Sequence, residues 1–548
     1  IGRREYKNAA AVPPATLDLV FQHDEIEIGG RSLSMPLLFA SLWRRNETLG
    51  HDHDPTDARG YGRFVAHIVL VAAPAYDLAG ILRKSILAPA FAADEATPQR
   101  GRRWLTRLER YLWDNIPALQ QLFDIEAAAG QDAYTIWLET GGYQAAGIGW
   151  LFDDTVATVP VPPPALPCSP KQGGVNLIGF AYGQLGVGED VRMLAASLEA
   201  AGTPFGVVAK TPVGDRGPLD RWLAAHAIER PVYDVSIFCM AGFDTGHLLL
   251  DDPALLDPGY YRIGFWPWEL PYWPSPWQHV FDLVDEIWAA TAYTKAAYDQ
   301  ARPGIPVELM KLAVDVRRLV PCARADFGLT DDRFLFLYVF DANSYLARKN
   351  PLAAIAAFAR AFPAGDEPVA LVLKMMGGAP DDPDLLACLA AAAADRRIVI
   401  LDGVMNRGDV LGLIASADAY ISLHRAEGFG RTIAEAMLLG RPVIATGFSG
   451  SNDLVTAETA LPVAWTRRAV GADEYPFGEG QYWADPDIDH AASCLRRIAT
   501  DPVLRFRLTE AARRHVAHHH APARVGAAYA ARLDAVIRQR SASATARR

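Results

Sequence analysis

Residues 420–455 read YISLHRAEGFGRTIAEAMLLGRPVIATGFSGSNDLV. Tyr420–His424 is a short apolar run of strand type, and Glu427-Gly428-Phe429-Gly430 breaks it. Thr432–Leu439 reads as a compact helix closed by Gly440, and Pro442–Thr446 as a second buried strand ending in a Gly/Ser loop. A strand, a glycine turn, a helix N-terminus and another strand form the unit that α/β proteins use to hold phosphates. The free N–H groups of the first helical turn and the helix dipole both point at the anion. Two acids set this unit apart from a generic phosphate loop: Glu427 lies before the glycines and Glu435 eight positions on, inside the helix. A loop carboxylate and a helix carboxylate flanking an anion site suit a ligand with a phosphate middle and hydroxyls on both sides, such as a nucleotide sugar.

Upstream, the same alternation continues. Phe334–Phe340 is strand-like, DANSYLARKNP (341–351) a polar loop and Leu352–Phe362 an alanine-rich helix. Val369–Lys374 and Ile398–Leu401 read as strands around a helix at Asp384–Ala394, and Val410–Ser416 as the helix leading back to the opening stretch. A second alternation precedes this one: strands at Gly174–Phe180, Phe205–Ala209, Val235–Cys239, Tyr261–Trp266 and Asp285–Ala290. A glycine-rich turn and helix occupy 183–202, and Thr291 caps a helix to Gln300. After Val235–Cys239 a loop carrying Asp244 and His247 is expected. Strands alternating with helices predict parallel sheets covered on both faces. The expectation is therefore an α/β chain with two Rossmann-like domains, 172–318 and 319–500, facing each other across a cleft, with ligands at the carboxyl ends of the strands.

A length of 548 residues allows a third unit. Residues 1–155 read as a mainly helical accessory region, and six prolines between Pro160 and Pro170 mark a semi-rigid linker over 156–171. Residues 501–548 read as C-terminal helices and tail. Hydrophobic residues make up 51% and charged residues 21%, an ordinary globular balance. A net charge of −11 argues against sequence-independent nucleic-acid binding, which needs a basic footprint. Five scattered cysteines in no CxxC pattern argue against a disulfide framework or zinc site and favour a cytoplasmic location. The longest apolar run, Ile68–Tyr76, is too short to span a bilayer, which takes ~20 residues. RGRR (100–103), Arg107 and Arg110 read as solvated helix faces, with membrane-surface or partner docking as the rival. His51 and His53, with Asp52 and Asp54, read as polar loop, and His515 and His518–His520 as a solvated turn, so no metal is expected.

The opening stretch resembles the Glu-x7-Glu segment of the retaining glycosyltransferases of family 4, which have the GT-B fold. Glu427, Gly428, Phe429, Gly430, Glu435, Ala436, Gly440, Pro442, Val443 and Ala445 fall where that family's pattern places them. The resemblance implies that Glu427 contacts the transferred sugar, Glu435 the ribose hydroxyls, and Gly403-Val404 the base through backbone. Lys349 matches the lysine of the family's Arg-x4-Lys pair. Ser344 holds the arginine's position instead, and Arg348 adjoins the lysine. Arg348 and Lys349 are expected to neutralise the diphosphate, with Lys374 as a further cation and Arg431-Thr432-Ile433 supplying backbone N–H groups. Gly186 and Gly188, in a Gly-x-Gly-Glu-x-x-Arg run, look like the loop that lies across the cleft from the donor. A tight turn serving helix–sheet packing is the alternative. Trp268 and Glu269, in PWELPYWPSPWQ (267–278), are expected to stack on and bond an acceptor sugar, with an aromatic lid between helices as the alternative. His247 reads more simply as a loop histidine than as a donor-sugar contact. A final helix near Arg524–Ile537 is expected to cross back to the N-terminal sheet domain.

The implied activity is retaining transfer of a sugar from a nucleoside diphosphate sugar to an acceptor hydroxyl, without a metal or other cofactor, in bacterial-type polysaccharide or glycoconjugate synthesis. The acceptor is a saccharide, a lipid-linked sugar or a protein. The chain is expected in the cytoplasm, with peripheral contact at the inner face of a membrane left open. Two rivals stand beside it: a nucleotide-sugar-binding scaffold subunit of a polysaccharide assembly complex, and a nucleotide-sugar epimerase or hydrolase of the same architecture.

Overall fold

The computed structural model describes residues 23–28, 31–44, 55–73, 82, 84–151, 170–210, 220–257, 259–379, 382–471 and 474–546. The proline-rich linker, its last two residues excepted, and the His51–Asp54 cluster lie outside them. The chain divides into two compact units: Ile1–Ala165 with Leu248–Leu255, and Leu166–His247 with Leu256–Arg548.

In the first unit an antiparallel hairpin, β1 (His23–Ile28) and β2 (Arg31–Pro36), leads into helices that close on Phe39, Phe64, Leu108, Leu112 and Tyr134. Thr106 and Glu109 form a reciprocal capping box at the start of the helix Arg107–Asn115. The arginine-rich run is spent internally. Arg103 bonds the buried Glu109 at 2.7 Å, Arg102 and Arg103 reach Glu139, and Arg100 pairs with Glu126 at 3.4 Å. Tyr143 donates to the same Glu109 at 2.6 Å, so this carboxylate organises the unit's polar interior. A local repeat is also present. The helix Ala58–His67 runs into a π-helical segment Ile68–Ala72, and Ala128–Trp137 runs likewise into Leu138–Gly142. Phe64 and Tyr134, and Ile68 and Leu138, stand at matching positions along the two segments, and all four are buried.

The second unit holds two six-stranded parallel sheets. The first comprises β3 (Lys171–Gly179), β4 (Phe205–Ala209), β5 (Tyr233–Cys239), β6 (Tyr261–Phe265), β7 (Glu286–Ala289) and β8 (Val307–Leu309), in the order β4-β3-β5-β6-β7-β8. The second comprises β9 (Phe334–Asp341), β10 (Val369–Met376), β11 (Ile398–Asp402), β12 (Ala419–Ser422), β13 (Val443–Thr446) and β14 (Leu461–Val463), in the order β11-β10-β9-β12-β13-β14. These are the two facing α/β domains expected. The strand order reverses beside β3 and β9, where ligands of open sheets bind. The loops after β3, β9 and β12 carry the residues singled out above.

Helices bordering this region include α1 (Gly186–Ala200), α2 (Leu346–Lys349), α3 (Arg407–Ser416), α4 (Arg431–Leu438), α5 (Pro502–His519) and α6 (Pro522–Ala546). The last crosses back onto the first sheet domain. A Cβ on Gly526 would sit 1.9 Å from the Ser197 carbonyl of α1, so the two helices meet backbone to backbone and only glycine fits. Tyr529 donates to Lys311 O at 2.6 Å, and Arg532 pairs with the buried Glu286 at 2.8 Å. Three elements differ from the sequence expectation. The Asp244/His247 segment is helical, Gly242–Asp251. The 341–351 loop contains α2. An antiparallel hairpin, β15 (Trp465–Ala469) and β16 (Tyr482–Pro486), follows the second sheet. Among the described residues no helix is long and apolar enough to cross a membrane, and four cysteines are free thiols.

Candidate active site

The chain after β9 turns sharply at Tyr345, whose φ of 64° is a strained left-handed value for a tyrosine. One helical turn, α2, follows and stops at Asn350, also left-handed at φ 53°. Several bonds clamp this turn to the loop after β12. Arg425 N donates to Arg348 O at 2.8 Å, Asn350 Nδ2 to Leu423 O at 3.1 Å, and the buried Arg348 guanidinium to Ala426 O at 2.9 Å. Lys349 Nζ then stands 2.5 Å from Glu427 Oε1, and Arg348 Nη1 3.4 Å from the same oxygen. Burial alone would raise the Glu427 pKa, but the charges of Lys349 and Arg348 outweigh it and hold the carboxyl at about 2. Burial, with Arg348 alongside, pushes the Lys349 ammonium below its ordinary value, and Glu427 opposes that shift.

A second layer fixes the Glu427 backbone. Its N–H donates to Ser449 Oγ at 2.8 Å, and its carbonyl accepts from Gly450 N at 2.8 Å. A Cβ at Gly450 would lie 1.9 Å from Gly428 O, so this loop admits only glycine there. Beneath it, buried His424 bridges Ser422 Oγ at 2.9 Å and Ser451 Oγ at 3.0 Å, and burial lowers its pKa to about 4. Gly430, at φ 88°, caps α4, whose first-turn N–H groups lie beyond any intrahelical partner. Thr432 holds its hydroxyl against Tyr420 at 2.7 Å.

These parts meet on one cavity of about 320 Å³ between the two sheets. From the second domain Ser344, Arg348, Lys349, Glu427, Gly428, Phe429, Gly430 and Arg431 line it, and from the first Gly186 and Glu269. The first domain also grips the glycine turn directly: Thr291 Oγ1 donates to Gly428 O at 3.0 Å.

Other expected residues stand apart from that wall. Glu435 is fully buried and held by both terminal nitrogens of Arg407, whose Nε also faces Glu189 Oε1 of α1 at 3.3 Å. Lys374 gives its ammonium to the carbonyls of Met375, at 2.8 Å, and Gly403, so it fixes the loop after β11. Gly403 takes φ 113° there, and Val404 is 41% exposed. A Cβ on Gly186 would meet nothing within 4 Å, whereas one on Gly188 would strike Gly183 O at 2.4 Å. Gly188 therefore serves the turn's own packing. Trp268 is buried among Phe243, Trp273 and Tyr475 with its indole N–H on Tyr272 O at 3.0 Å, while Glu269 accepts from Tyr475 at 2.5 Å. His247 packs edge-on to Trp277 at 5.6 Å.

Sequence reasoning passed over Asp190, His424, Arg407, Ser449 and Tyr475. The Gly/Ser loop and the second acid of Gly-x-Gly-Glu-Asp were visible signals for Ser449 and Asp190. Arg407 and Tyr475 carried none. Among the described residues no group of three or more His, Cys, Asp or Glu side chains is placed to hold a metal ion.

Residues 340–469 match the family model "Glycosyl transferases group 1". The matched stretch takes in Lys349, Glu427 and Glu435. No curated protein matches the chain at a significant level. Among solved structures the chain is similar to HepE of Anabaena in complex with UDP and glucose, at 16% identity over 66% of this chain and 100% of that one, TM-score 0.48. A sucrose-phosphate synthase of Thermosynechococcus elongatus is similar at 18% identity over 68% and 100%, TM-score 0.48. The pneumococcal O-GlcNAc transferase GtfA, in complex with UDP and GlcNAc, is similar at 13% identity over 55% and 57%, TM-score 0.40.

Proposed function

We propose that the chain transfers a sugar from a nucleoside diphosphate sugar to a hydroxyl of a saccharide, lipid-linked or protein acceptor, with retention of anomeric configuration and without a metal. One observation carries this reading: Arg348, Lys349 and Glu427 converge with the N-terminus of α4 on a single cavity between the two sheets. The group 1 glycosyltransferase domain over the same residues supports it.

As the glycosidic bond breaks, negative charge grows on the leaving diphosphate. Lys349, Arg348 and the N–H groups at the start of α4 are already oriented to meet that charge, so little reorganisation is needed as it develops. Glu427, with its carboxyl held at about 2, is an anion at neutral pH and has no proton to give. It acts by accepting hydrogen bonds from the transferred sugar and by keeping the two cations in place. The acceptor attacks from the face the diphosphate leaves, and a leaving-phosphate oxygen takes its proton. Glu269 orients the acceptor. The resemblance gives the ribose hydroxyls to Glu435 and the base to the Gly403-Val404 backbone; Glu435 is fully buried against Arg407, so it meets a ribose only when that pair opens. The setting proposed is bacterial-type polysaccharide or glycoconjugate synthesis in the cytoplasm or at the inner face of a membrane.

A thermal-shift screen with UDP-, GDP-, ADP- and dTDP-sugars tests the donor site, followed by product analysis by mass spectrometry and anomeric NMR. One nucleotide sugar should stabilise the chain, and Glu435→Ala should remove that stabilisation. Failure of every nucleotide sugar to bind would overturn the reading.

A further inference from the structure

The cavity wall carries four carboxylates and three cations, Arg348, Lys349 and Arg431. The first two are committed to Glu427, and Arg348 is tied further to two backbone carbonyls. Arg431 is placed differently. It opens α4, so its side chain springs from the helical turn whose N–H groups face the cavity. Its Nε reaches Asp190 Oδ1 at 3.1 Å, its Nη2 bonds the same oxygen, and its Nη1 donates to Ala313 O at 3.2 Å. Asp190 belongs to α1 of the opposite domain and also lines the cavity. Among the described residues Arg431 is the cation in salt-bridge contact with it.

An incoming diphosphate therefore meets a guanidinium within one side chain's reach, paired with a single carboxylate. Two phosphate groups offer that fork a better partner than one carboxylate does. Resting on the donor reading above, we propose that the Arg431 guanidinium is a third diphosphate-binding cation, exchanging Asp190 for the donor, and that Asp190 gains affinity for a proton as it loses that partner. The surroundings of Asp190 favour that proton. Its chain neighbour Glu189 is an acid, Arg192 on the same helix is engaged with Glu189 at 2.7 Å and with Asp220, and Cys239 of β5 and Tyr529 of α6 are neutral. Burial already raises the Asp190 pKa while Arg431 is its partner, and removing Arg431 raises it further. Asp190 is thus a positioning residue, and Arg431 the side chain that touches the donor.

Isothermal titration of the full chain with the stabilising nucleotide sugar, near pH 7 in two buffers of different ionisation enthalpy, counts the protons bound with the donor. Wild type should take up protons with the donor, and Asp190→Asn should take up fewer. Lys349 and His424, whose pKa values are also depressed, are the other groups beside the site able to supply uptake, and undiminished uptake in Asp190→Asn would assign the proton to them and overturn the exchange. Arg431→Met should weaken donor binding at least about tenfold, the effect of one lost charge-assisted contact, while Arg431→Lys recovers part of it. If the donor binds wild type and a folded Arg431→Met equally, or wild type takes up no proton, this inference falls and the donor reading stands. If wild type binds no nucleotide sugar, both fall.

Discussion

The two sheet domains bring different chemistry to the cavity they share. The second supplies Arg348, Lys349, Arg431 and a helix N-terminus, a predominantly cationic wall in which Glu427 is held by two positive neighbours. The first supplies Asp190 and Glu269, with Glu189 behind them, and hydroxyls from Thr291 and Thr294. Much of the charge on each side is answered by the other: Arg431 by Asp190, and Arg407 by Glu189 as well as Glu435. The contrast teaches that the cationic wall is legible as an anion site, yet any diphosphate bound there would have to compete with protein carboxylates for it.

The largest effect should come from breaking that lattice where it is most buried. Arg407→Ala leaves Glu435, with no exposed surface, without its partner. An uncompensated buried charge costs about 3–5 kcal/mol, so a large fall in thermal midpoint is expected. Adding Glu435→Gln removes the orphaned charge and should return part of the loss. A double variant no more stable than Arg407→Ala would show that Arg407 contributes packing and not charge.

Next comes the cation that faces Glu427. Lys349→Ala should lower kcat by roughly 10²–10³-fold, the effect of losing one preorganised contact to developing charge, with a smaller rise in the donor KM. Equal loss in kcat and in donor affinity would make Lys349 a ground-state binder instead.

How much of this was legible from sequence follows from how local each part is. Glu427, the glycine turn and Glu435 lie in one short stretch whose spacing is set by a turn and a helix, and Lys349 lies on the loop after a strongly apolar strand. Such parts can be read from neighbours in the chain. Arg407 cannot, because its partners lie on α1 and α4, and nothing near Asn406-Arg407 signals either. The sequence around Asp244 and His247 reads as a loop, and the structure makes Gly242–Asp251 a helix. Its two glycines disfavour a helix, but Phe243 packing on Trp273 and Trp277 overrides that propensity. The four-residue α2 is too short for periodicity to reveal. The hairpin β15–β16 is marginal alone and is held by contacts such as Tyr272 N to Gln481 Oε1 at 3.0 Å.

A smaller effect tests what supports the cationic wall. His424 has a folded pKa of about 4, well under the ordinary 6.5, because burial disfavours its charged form. As pH falls, the unfolded chain takes up that proton first. The stability His424 protects is therefore complete above about pH 6.5 and is lost progressively down to about 4. At about 1.4 kcal/mol per pH unit, the chain should lose about 2 kcal/mol between pH 7 and pH 5 through this residue. His520, also held at about 4 by burial, titrates over the same range. His424→Asn should flatten the pH dependence of the thermal midpoint by about half, whereas an unchanged curve would mean that the Ser422–His424–Ser451 bridge accepts the charged ring.

The mildest prediction separates the two walls. Tyr475 lies on the connection between β15 and β16 and donates to Glu269 Oε2 at 2.5 Å, while its ring packs on Tyr345 at 4.7 Å. Tyr475→Phe keeps the ring and removes the hydroxyl, so Glu269 stays in place but loses the bond that orients it. One hydrogen bond of this kind contributes about 1–2 kcal/mol, and the acceptor KM should rise several-fold while the donor KM holds. The reason for the split is positional: Glu269 comes from the first domain, and Arg348 and Lys349, the cations proposed for the diphosphate, are anchored within the second. A rise confined to the donor KM would move Glu269 to the donor side and dissolve the distinction between an acceptor-facing acidic wall and a donor-facing cationic one.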